Sequence, residues 1–355
     1  MPIVNRSTIL ATILVTALLT GCNEAPEEKW NLNAGSVPIE GTPASPVVAA
    51  VVEWAYGGMI GSRLLVVDSE DQVHALPTAL SDDCHPNYPW DTALSPDGKW
   101  IALTIFDQCG EPKGQELRIV NTATGEQTTI RREMEFGDLA WSPDSTRLVV
   151  RIGSDRMEVV DVKGAVLAKL PAGSQVEWAP GELIAVGTYA GFTEFVLFTP
   201  EGMESEVLED VRTGTWITKD VFAGGRYRGE YPNTKRDLRF YRPDGSETKV
   251  WECPPAALSP NGETVAGVGS TEPEGVFRST QVFLEVCDFD TGRRTRLSPS
   301  YAPVVIDDPH WLPDGRIVAI FLGTLQVIDP VTGEHEPLAK SASGTGLTDL
   351  STIAY

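Results

Sequence analysis

A segment built around the turn sequence Ser-Pro-Asp-Gly recurs along the chain and restricts the fold more than any other feature. Each copy has an apolar stretch, a tight turn and a second apolar stretch. The copies are spaced by about 43 residues, the length of a four-stranded propeller blade. Pro suits the second position of a type I turn and Gly the fourth, so the residue between them is interpreted as a turn former. The clearest copies are ALSPDGKWIALT (93–104), LAWSPDSTRLVVRI (139–152), VEWAPGELIAVG (176–187), ALSPNGETVAGVG (257–269) and HWLPDGRIVAIF (310–321).

One copy is degenerate. The distance between Pro180 and Pro260 is twice the usual spacing, and residues 215–231 supply two apolar stretches without the proline. After its turn, each unit continues with a third strand, a polar turn and a short fourth strand. Six complete units therefore fit between about residues 90 and 340, with the spacing expected of blades.

The two ends of the repeat region complement each other. A partial unit at 47–54, 63–67 and 72–76 has three strands, and the final residues 347–355 resemble the missing first strand. Closing the ring in this way removes exposed sheet edges, which promote aggregation. The sequence therefore predicts an all-β fold with seven blades, closed by the C-terminal strand.

These repeats resemble the TolB-type, or WD40-like, family of β-propellers over about residues 46–355. The resemblance implies a propeller fold, and such propellers serve many unrelated functions. Within the repeats, Trp or Leu comes two residues before the proline. That position is interpreted as packing between blades. It is occupied by Leu94, Trp141, Trp178, Leu258 and Trp311.

The N-terminus has the pattern of an export signal. Ser7–Leu19 is an apolar stretch too short to span a bilayer, and it leads to Leu-Thr-Gly-Cys, which resembles a bacterial lipobox. Residues 1–21 are therefore predicted to be a signal peptide, with Cys22 lipidated and residues 22–46 a tether without regular structure. An ordinary signal peptide with a chance cysteine is the alternative. The propeller is predicted at 47–355, outside the cytoplasm and membrane-anchored in a bacterial cell envelope.

The charge excludes one class of function. With 28 Lys and Arg against 50 Asp and Glu, the net charge is −22. A nucleic-acid binder needs a basic patch to displace counterions from phosphates, so we expect no nucleic-acid partner. The same charge argues against docking on anionic lipid through protein charge.

The cysteine pattern predicts a disulfide. Four cysteines remain after lipidation, an even number in a chain predicted to be exported. By strand topology Cys84 and Cys109 fall at the same end of one blade, and we predict that they are bonded. Pairing of Cys253 with Cys287 stays open, because the two fall at opposite ends of their blade. No spacing typical of a zinc ribbon or a haem attachment site is present.

No catalytic motif is found, and we expect no catalytic residues, metal or cofactor. The pairs Asp82-Asp83 and Asp307-Asp308 are candidates for calcium binding, but no spaced pattern of oxygen ligands accompanies them. An enzyme, or a propeller that binds a small ligand or calcium, remains the alternative. It would combine these carboxylates with His85 or His310 at the channel mouth.

The long connections point to a binding function. By topology they all reach the same rim of the propeller, and variable loops on one face of a scaffold commonly bind partners. We therefore predict a monomeric scaffold or assembly factor that binds an envelope protein or peptide. A purely structural envelope protein is a third possibility. The candidate binding residues are the aromatic side chains of Tyr88, Trp90, Tyr227, Tyr231 and Tyr301.

Overall fold

The computed structural model consists of strands, turns and irregular segments in the part of the chain that it describes. That part contains 28 strands in seven sheets, and none of its residues form a helix that could cross a membrane. The described residues are 38–55, 63–77, 89–107, 114–133, 135–154, 156–188, 194–209, 211, 213–228, 235–251, 258–270, 282–298, 309–321, 323–340 and 345–352.

Each sheet is one blade, and the strands are numbered in chain order. Blade 1 contains β1 (Ile39–Glu40), β2 (Val47–Ala55), β3 (Arg63–Asp68), β4 (Val73–Ala75) and β28 (Thr345–Thr352). Blade 2 contains β5 (Pro89–Leu94), β6 (Trp100–Asp107), β7 (Gly114–Asn121) and β8 (Gln127–Glu133). Blade 3 contains β9 (Phe136–Trp141), β10 (Arg147–Ile152), β11 (Arg156–Asp161) and β12 (Val166–Pro171).

The remaining blades follow the same order. Blade 4 contains β13 (Gln175–Trp178), β14 (Ile184–Gly187), β15 (Glu194–Phe198) and β16 (Glu204–Glu209). Blade 5 contains β17 (Thr213–Thr218), β18 (Val221–Arg228), β19 (Lys235–Tyr241) and β20 (Glu247–Trp251). Blade 6 contains β21 (Thr264–Ser270), β22 (Val282–Asp288) and β23 (Arg294–Arg296). Blade 7 contains β24 (His310–Trp311), β25 (Ile317–Phe321), β26 (Thr324–Ile328) and β27 (His335–Lys340).

The first strands of neighbouring blades lie side by side around a central axis. Contacts join β28 to β5, β5 to β9, β9 to β13 and β13 to β17, and β24 of blade 7 returns to β28 of blade 1. These strands are innermost, and each sheet runs outward from them. We call the residues of β28, β5, β9, β13, β17 and β24 the inner wall, and the interface between two neighbouring blades a seam.

The last strand of the chain completes the first blade, as the sequence predicts. β28 pairs antiparallel with β2, so that Ala50 lies opposite Ser351 and Trp54 opposite Gly346. One sheet thus contains strands from both ends of the repeat region. The predicted seven-bladed propeller closed by a C-terminal strand is confirmed.

Blade 1 also has a fifth strand that the sequence does not reveal. Ile39 and Glu40 form β1, which pairs in parallel with β4 at the outer edge of the sheet. Arg63 on β3 reaches across to Glu40, with 3.1 Å between Nη1 and the carboxylate. The folded body therefore begins before residue 47. Ile39 and Glu40, which lie within the tether predicted from the sequence at 22–46, thus belong to this sheet.

The degenerate unit is confirmed as blade 5. Its first two strands form a hairpin in which Thr215 lies opposite Ala223 and Trp216 opposite Phe222. In blade 6 the described part of the innermost strand forms one bridge, between Leu258 and Val265. Blade 5 shows that the repeat tolerates loss of its proline.

The apolar core lies between the blades. The seam of blades 2 and 3, for example, buries Leu117 and Phe136 in a common cluster. Strands with a blade packed on each face are buried throughout: every residue of β25 and β26 is buried, including the polar Thr324 and Gln326 of β26. The outermost strand β12 alternates exposed and buried residues instead, because only part of its surface meets a neighbour.

The residues that precede the repeat proline pack between blades, as predicted. Trp141, Trp178 and Trp311 are each less than a tenth exposed, and Trp216 takes the same place in the degenerate blade. Full burial of one such side chain contributes about 2–3 kcal/mol. These tryptophans therefore hold the ring together.

The turns between third and fourth strands dock on the preceding blade. Gly164 has φ +87°, and a β-carbon there would lie 2.3 Å from the carbonyl oxygen of Ile130 in blade 2. Gly202 has φ +86° and would meet the carbonyl oxygen of Lys169 in blade 3 at 2.9 Å. Only glycine combines this backbone conformation with so close an approach.

Candidate functional site

The antiparallel strand order divides the connections between two ends of the ring. Turns from first to second strand and from third to fourth strand lie at one end, which we call the lower rim. The other connections lie at the opposite end, the upper rim, except for residues 41–46, which run from the end of β4 to the lower-rim turn after β3. The lower-rim turns are all described, whereas most upper-rim connections contain residues outside the described part.

Side chains of the lower-rim turns bond within their own turns. Asp97 Oδ1 accepts the Ser95 hydroxyl at 2.8 Å and the Lys99 backbone N–H at 3.1 Å. Desolvation raises the pKa of Asp97, but these hydrogen bonds outweigh it, and the net pKa is lowered. The same backbone bond is made in other blades by Asp144, Asn261 and Asp314. The repeat Asp and Asn residues are thus turn formers, as the sequence predicts.

Lower-rim side chains also bridge blades. Three non-glycine residues of the described chain have positive φ, and all three lie in lower-rim turns: Asp71, Ser145 and Glu182. Each bonds a neighbouring blade. The contacts are Arg316 to Asp71 at 2.8 and 2.9 Å, Arg147 to Glu182 at 2.7 Å, and the Asp97 N–H to Ser145 Oγ at 3.1 Å. Side chains of the lower-rim turns thus make contacts that join neighbouring blades.

Two of the predicted binding residues belong to described strands. Trp90 lies near the start of β5, and Tyr227 near the end of β18. By strand direction both positions are at the upper rim. The other predicted site residues fall outside the described residues: Tyr88, Tyr231, Tyr301, the lipidation site Cys22, and the predicted disulfide pair Cys84 and Cys109.

Cys287 is the one cysteine within the described residues. It is 2% exposed, packs with Ala223 and Phe240 in the seam of blades 5 and 6, and is disulfide-bonded. The sequence left the pairing of Cys287 open. The structure therefore places a disulfide-bonded cysteine in this apolar cluster.

Of the residues predicted for the alternative polar site at the channel mouth, His310 is the one that lies within the described residues. His310 begins the innermost strand of blade 7 and is half-buried. Asp82, Asp83, His85, Asp307 and Asp308 lie outside the described residues. Within the described ranges, no group of three or more His, Cys, Asp or Glu side chains is placed to hold a metal ion.

The inner wall carries polar groups at regular positions. Asp91 and Asp138 each lie three residues before the packing residue of their blade, Leu94 or Trp141. Asp91 Oδ2 accepts the backbone N–H of Leu139 at 2.9 Å, across the seam of blades 2 and 3. In the same seam, the Trp141 indole donates to the Ala93 carbonyl at 2.8 Å.

Asp138 lies beside an arginine. Arg151 Nε is 3.4 Å from Asp138 Oδ2, and the guanidinium covers the Cα of Gly137, where a β-carbon would collide with it. Burial raises the pKa of Asp138, and the charge of Arg151 offsets only part of this rise. Glu135 lies 3.6 Å from the same guanidinium.

Glu177 faces the seam of blades 4 and 5. The side chains of Gln175 and Thr215 hydrogen-bond its carboxyl, with 3.5 Å between Thr215 Oγ1 and Glu177 Oε2. Desolvation raises the pKa of Glu177 to about 7, and the nearby charge of Asp138 adds to the rise. Glu177 is therefore the described carboxyl whose protonation changes most near neutral pH.

The sequence reasoning missed these inner-wall residues, although a signal existed. Glu177 immediately precedes the packing tryptophan of its repeat, where two other copies have Ala93 and Ala140. The same position holds Ala257 in a third copy and the polar residues Thr215 and His310 in two more, so Glu177 is the one carboxylate found there. Comparing the copies position by position, and not only their turns, identifies it.

Comparison with known proteins identifies the fold of this chain. No family model matches the chain, and no curated protein matches its sequence. Among solved structures, TolB from Acinetobacter baumannii superposes with a TM-score of 0.52 at 15% identity, covering 87% of this chain and 67% of TolB. The chain thus has the TolB-like β-propeller fold that its repeats predict.

Two further structures show how widely the fold is used. The propeller domain of the Trilobed protease from Pyrococcus furiosus, which has an open velcro topology, matches with TM-score 0.53 and 18% identity. The match covers 72% of this chain and 84% of that domain. A protein from Bacteroides uniformis, provisionally assigned as a 6-phosphogluconolactonase, matches with TM-score 0.54 and 13% identity over 86% of this chain and all of that one. Similarity at this level defines the architecture, and function has to be argued from the site.

Proposed function

We propose that this chain is a lipid-anchored, extracytoplasmic propeller that binds a protein or peptide partner through its upper rim and acts as an envelope scaffold or assembly factor. The observation that carries the proposal is the difference between the rims. At the lower rim, turn side chains bond their own backbone or the next blade. Little of that rim is left to specify a partner.

The upper rim has the opposite character. Its longest connections run between the strand ends Ala75 and Pro89, Ser270 and Val282, and Arg296 and His310. Long connections on a rigid scaffold supply area and variable side chains for recognition. Aromatic residues in or beside them, such as Trp90 and Tyr227, are the type that commonly dominates binding energy.

The upper rim is also uneven. The connections around blade 3, Glu133–Phe136, Ile152–Arg156 and Pro171–Gln175, are short, while the longest ones lie between blades 1 and 2, within blade 6, and between blades 6 and 7. A partner segment that crosses the rim would meet least obstruction above blade 3. We therefore expect the binding surface to be centred on the long connections and open toward blade 3.

The charge constrains the partner. With a net charge of −22, the propeller attracts neutral or basic surfaces and repels acidic ones. If the partner is basic, added salt slows association, because exposed charges are screened beyond about 8–10 Å at physiological ionic strength.

Membrane anchoring is tested by replacing Cys22 with Ser and fractionating cells. We expect the variant to lose firm membrane association and the mass of the lipid. A variant that stays membrane-bound with unchanged mass overturns the anchor.

Partner binding is tested by photo-crosslinking in intact envelopes. A crosslinking amino acid replaces Trp90 or Tyr227 at the upper rim, and Lys99 or Lys163 at the lower rim as controls. Arg147 and Arg316 are unsuitable controls, because each holds a neighbouring blade. We expect a discrete adduct from the upper-rim positions. Adducts only from the lower rim, or equal adducts from both rims, contradict the proposal.

A further inference from the structure

Among the described residues of the seam between blades 4 and 5, no cation pairs with the carboxyl group of Glu177. Glu177 is half-buried on the inner wall, and its hydrogen-bond partners are the neutral side chains of Gln175 and Thr215. Gln175 Nε2 also donates across the seam to the Gly214 carbonyl at 3.0 Å. The contact thus links the two blades through groups that carry no compensating charge.

The described charged groups around Glu177 do not favour its ionisation. On β9, Asp138 adds a like charge. On β10, Arg151 lies against Asp138 and Glu135. On β14, the residue opposite Glu177 is Ala185, and on β17 the facing group is the Thr215 hydroxyl.

The rest of this seam is apolar or backbone. Phe222 packs against Phe195 and Trp216, with ring centroids 5.1 and 5.2 Å apart. The Trp216 indole nitrogen is buried without a hydrogen-bond partner. Among the described residues no ion pair joins blades 4 and 5, whereas the seam of blades 3 and 4 has Arg147 with Glu182.

We propose that Glu177 makes the seam of blades 4 and 5 a pH-responsive joint, which is tight when its carboxyl is protonated and loosened when it is ionised. In the protonated form the carboxyl is neutral and can both donate and accept hydrogen bonds between the inner strands. In the ionised form a charge lies against neutral groups and Asp138, so hydration of the seam becomes favourable.

The direction of the pH effect follows from linkage. The pKa of Glu177 is about 7 in the folded protein, well above its ordinary value in an unfolded chain. The folded state therefore binds more protons than the unfolded state between about pH 5 and 7. Stability from this residue is present below that range and is lost as the pH rises through 7.

The test compares thermal unfolding between pH 5 and 8 for three proteins. These are the unaltered chain, Glu177→Gln, and Glu204→Gln, which neutralises an exposed carboxylate on β16 of the same blade. Relative to Glu177→Gln, we expect the Tm of the unaltered chain to fall by on the order of 2–5 °C as the pH rises. Glu204→Gln should follow the unaltered chain. Parallel profiles for all three proteins overturn the proposal.

A second variant keeps the test decisive if Glu177→Gln does not fold. Thr215→Val removes a hydrogen bond that lowers the pKa of Glu177. We expect the pH-dependent fall in Tm to move to higher pH in this variant. If Tm falls at the same pH or at a lower pH in this variant, the Thr215 hydroxyl does not lower the pKa of Glu177, and the proposed pH-responsive joint is wrong.

Discussion

The seams of blades 2–3 and 4–5 join copies of one repeat by different chemistry. In the first, Arg131 of blade 2 lies 2.5 Å from the buried carboxylate of Glu158 in blade 3. The Trp141 indole in this seam has a carbonyl acceptor. In the second, the equivalent Trp216 indole has none, and the carboxyl of Glu177 meets neutral groups.

The difference shows what the repeat specifies and what it leaves free. Turn geometry and the apolar packing position place the blades. The polar residues beside them vary from seam to seam and set the strength and pH response of each seam. On our proposal, the seam of blades 4 and 5 therefore responds to pH in a way that the seam of blades 2 and 3 does not.

The largest loss of stability is expected where β28 closes the ring. This loss sets the scale against which the effects at the other two seams are compared. Deleting Leu347–Tyr355 removes most of β28, including the buried side chains of Leu347 and Leu350. We expect a loss of at least about 4 kcal/mol, because two leucines and the pairing edge of β2 become exposed. Thermal or denaturant unfolding measures it. A truncated protein that melts within a degree or two of the parent contradicts closure by this strand.

The next largest effect is expected from removing a charge in the seam of blades 2 and 3. Glu158 is 2% exposed and pairs with Arg131 and with Arg156 at 3.1 Å. Glu158→Ala leaves Arg131 and Arg156 with Glu133 as their remaining carboxylate partner, so we expect destabilisation of about 1–3 kcal/mol by urea unfolding. Glu204→Ala, at an exposed site, is the control and should cost little. Equal effects for the two variants would remove the distinction drawn between the seams.

The smallest effect sharpens the comparison with a matched pair. Trp141→Phe loses an indole bond to the Ala93 carbonyl, whereas Trp216→Phe removes an N–H that has no partner. Both lose similar apolar area, so we expect Trp141→Phe to cost about 1 kcal/mol more than Trp216→Phe. The measurement is the free energy of unfolding of both variants. The reverse order would show that the Trp216 indole is satisfied.

The blades could be predicted because their signals are local. Ser-Pro-Asp-Gly turns and the packing tryptophans recur at a fixed spacing, so even the degenerate blade 5 and the closing strand were identified. The missed strand β1 has only Ile39 and Glu40, and it pairs with His74 and Ala75 of β4, 35 residues later in the chain. A strand of two residues is too short to show the sequence pattern by which strands are predicted.

The candidate sites were less predictable for a similar reason. Arg131 and Glu158 meet across a seam, and their pairing depends on how two blades pack, which the repeat pattern does not encode. The same is true of Glu177 and Thr215, on different blades. The binding role of the upper-rim aromatic residues is predicted from strand topology alone. Trp90 and Tyr227 lie on strands that reach this rim, and their role in binding stays a prediction.

The most direct test of the difference between seams is hydrogen exchange at pH 6 and pH 8, expressed as protection factors to remove the intrinsic effect of pH. The amides to compare are those that pair β13 with β14 and β17 with β18, against those that pair β5 with β6 and β9 with β10. We predict that protection falls at pH 8 around the seam of blades 4 and 5, stays constant around the seam of blades 2 and 3, and stays constant at both in Glu177→Gln. Equal changes at the two seams, or a fall that persists in Glu177→Gln, would contradict this account.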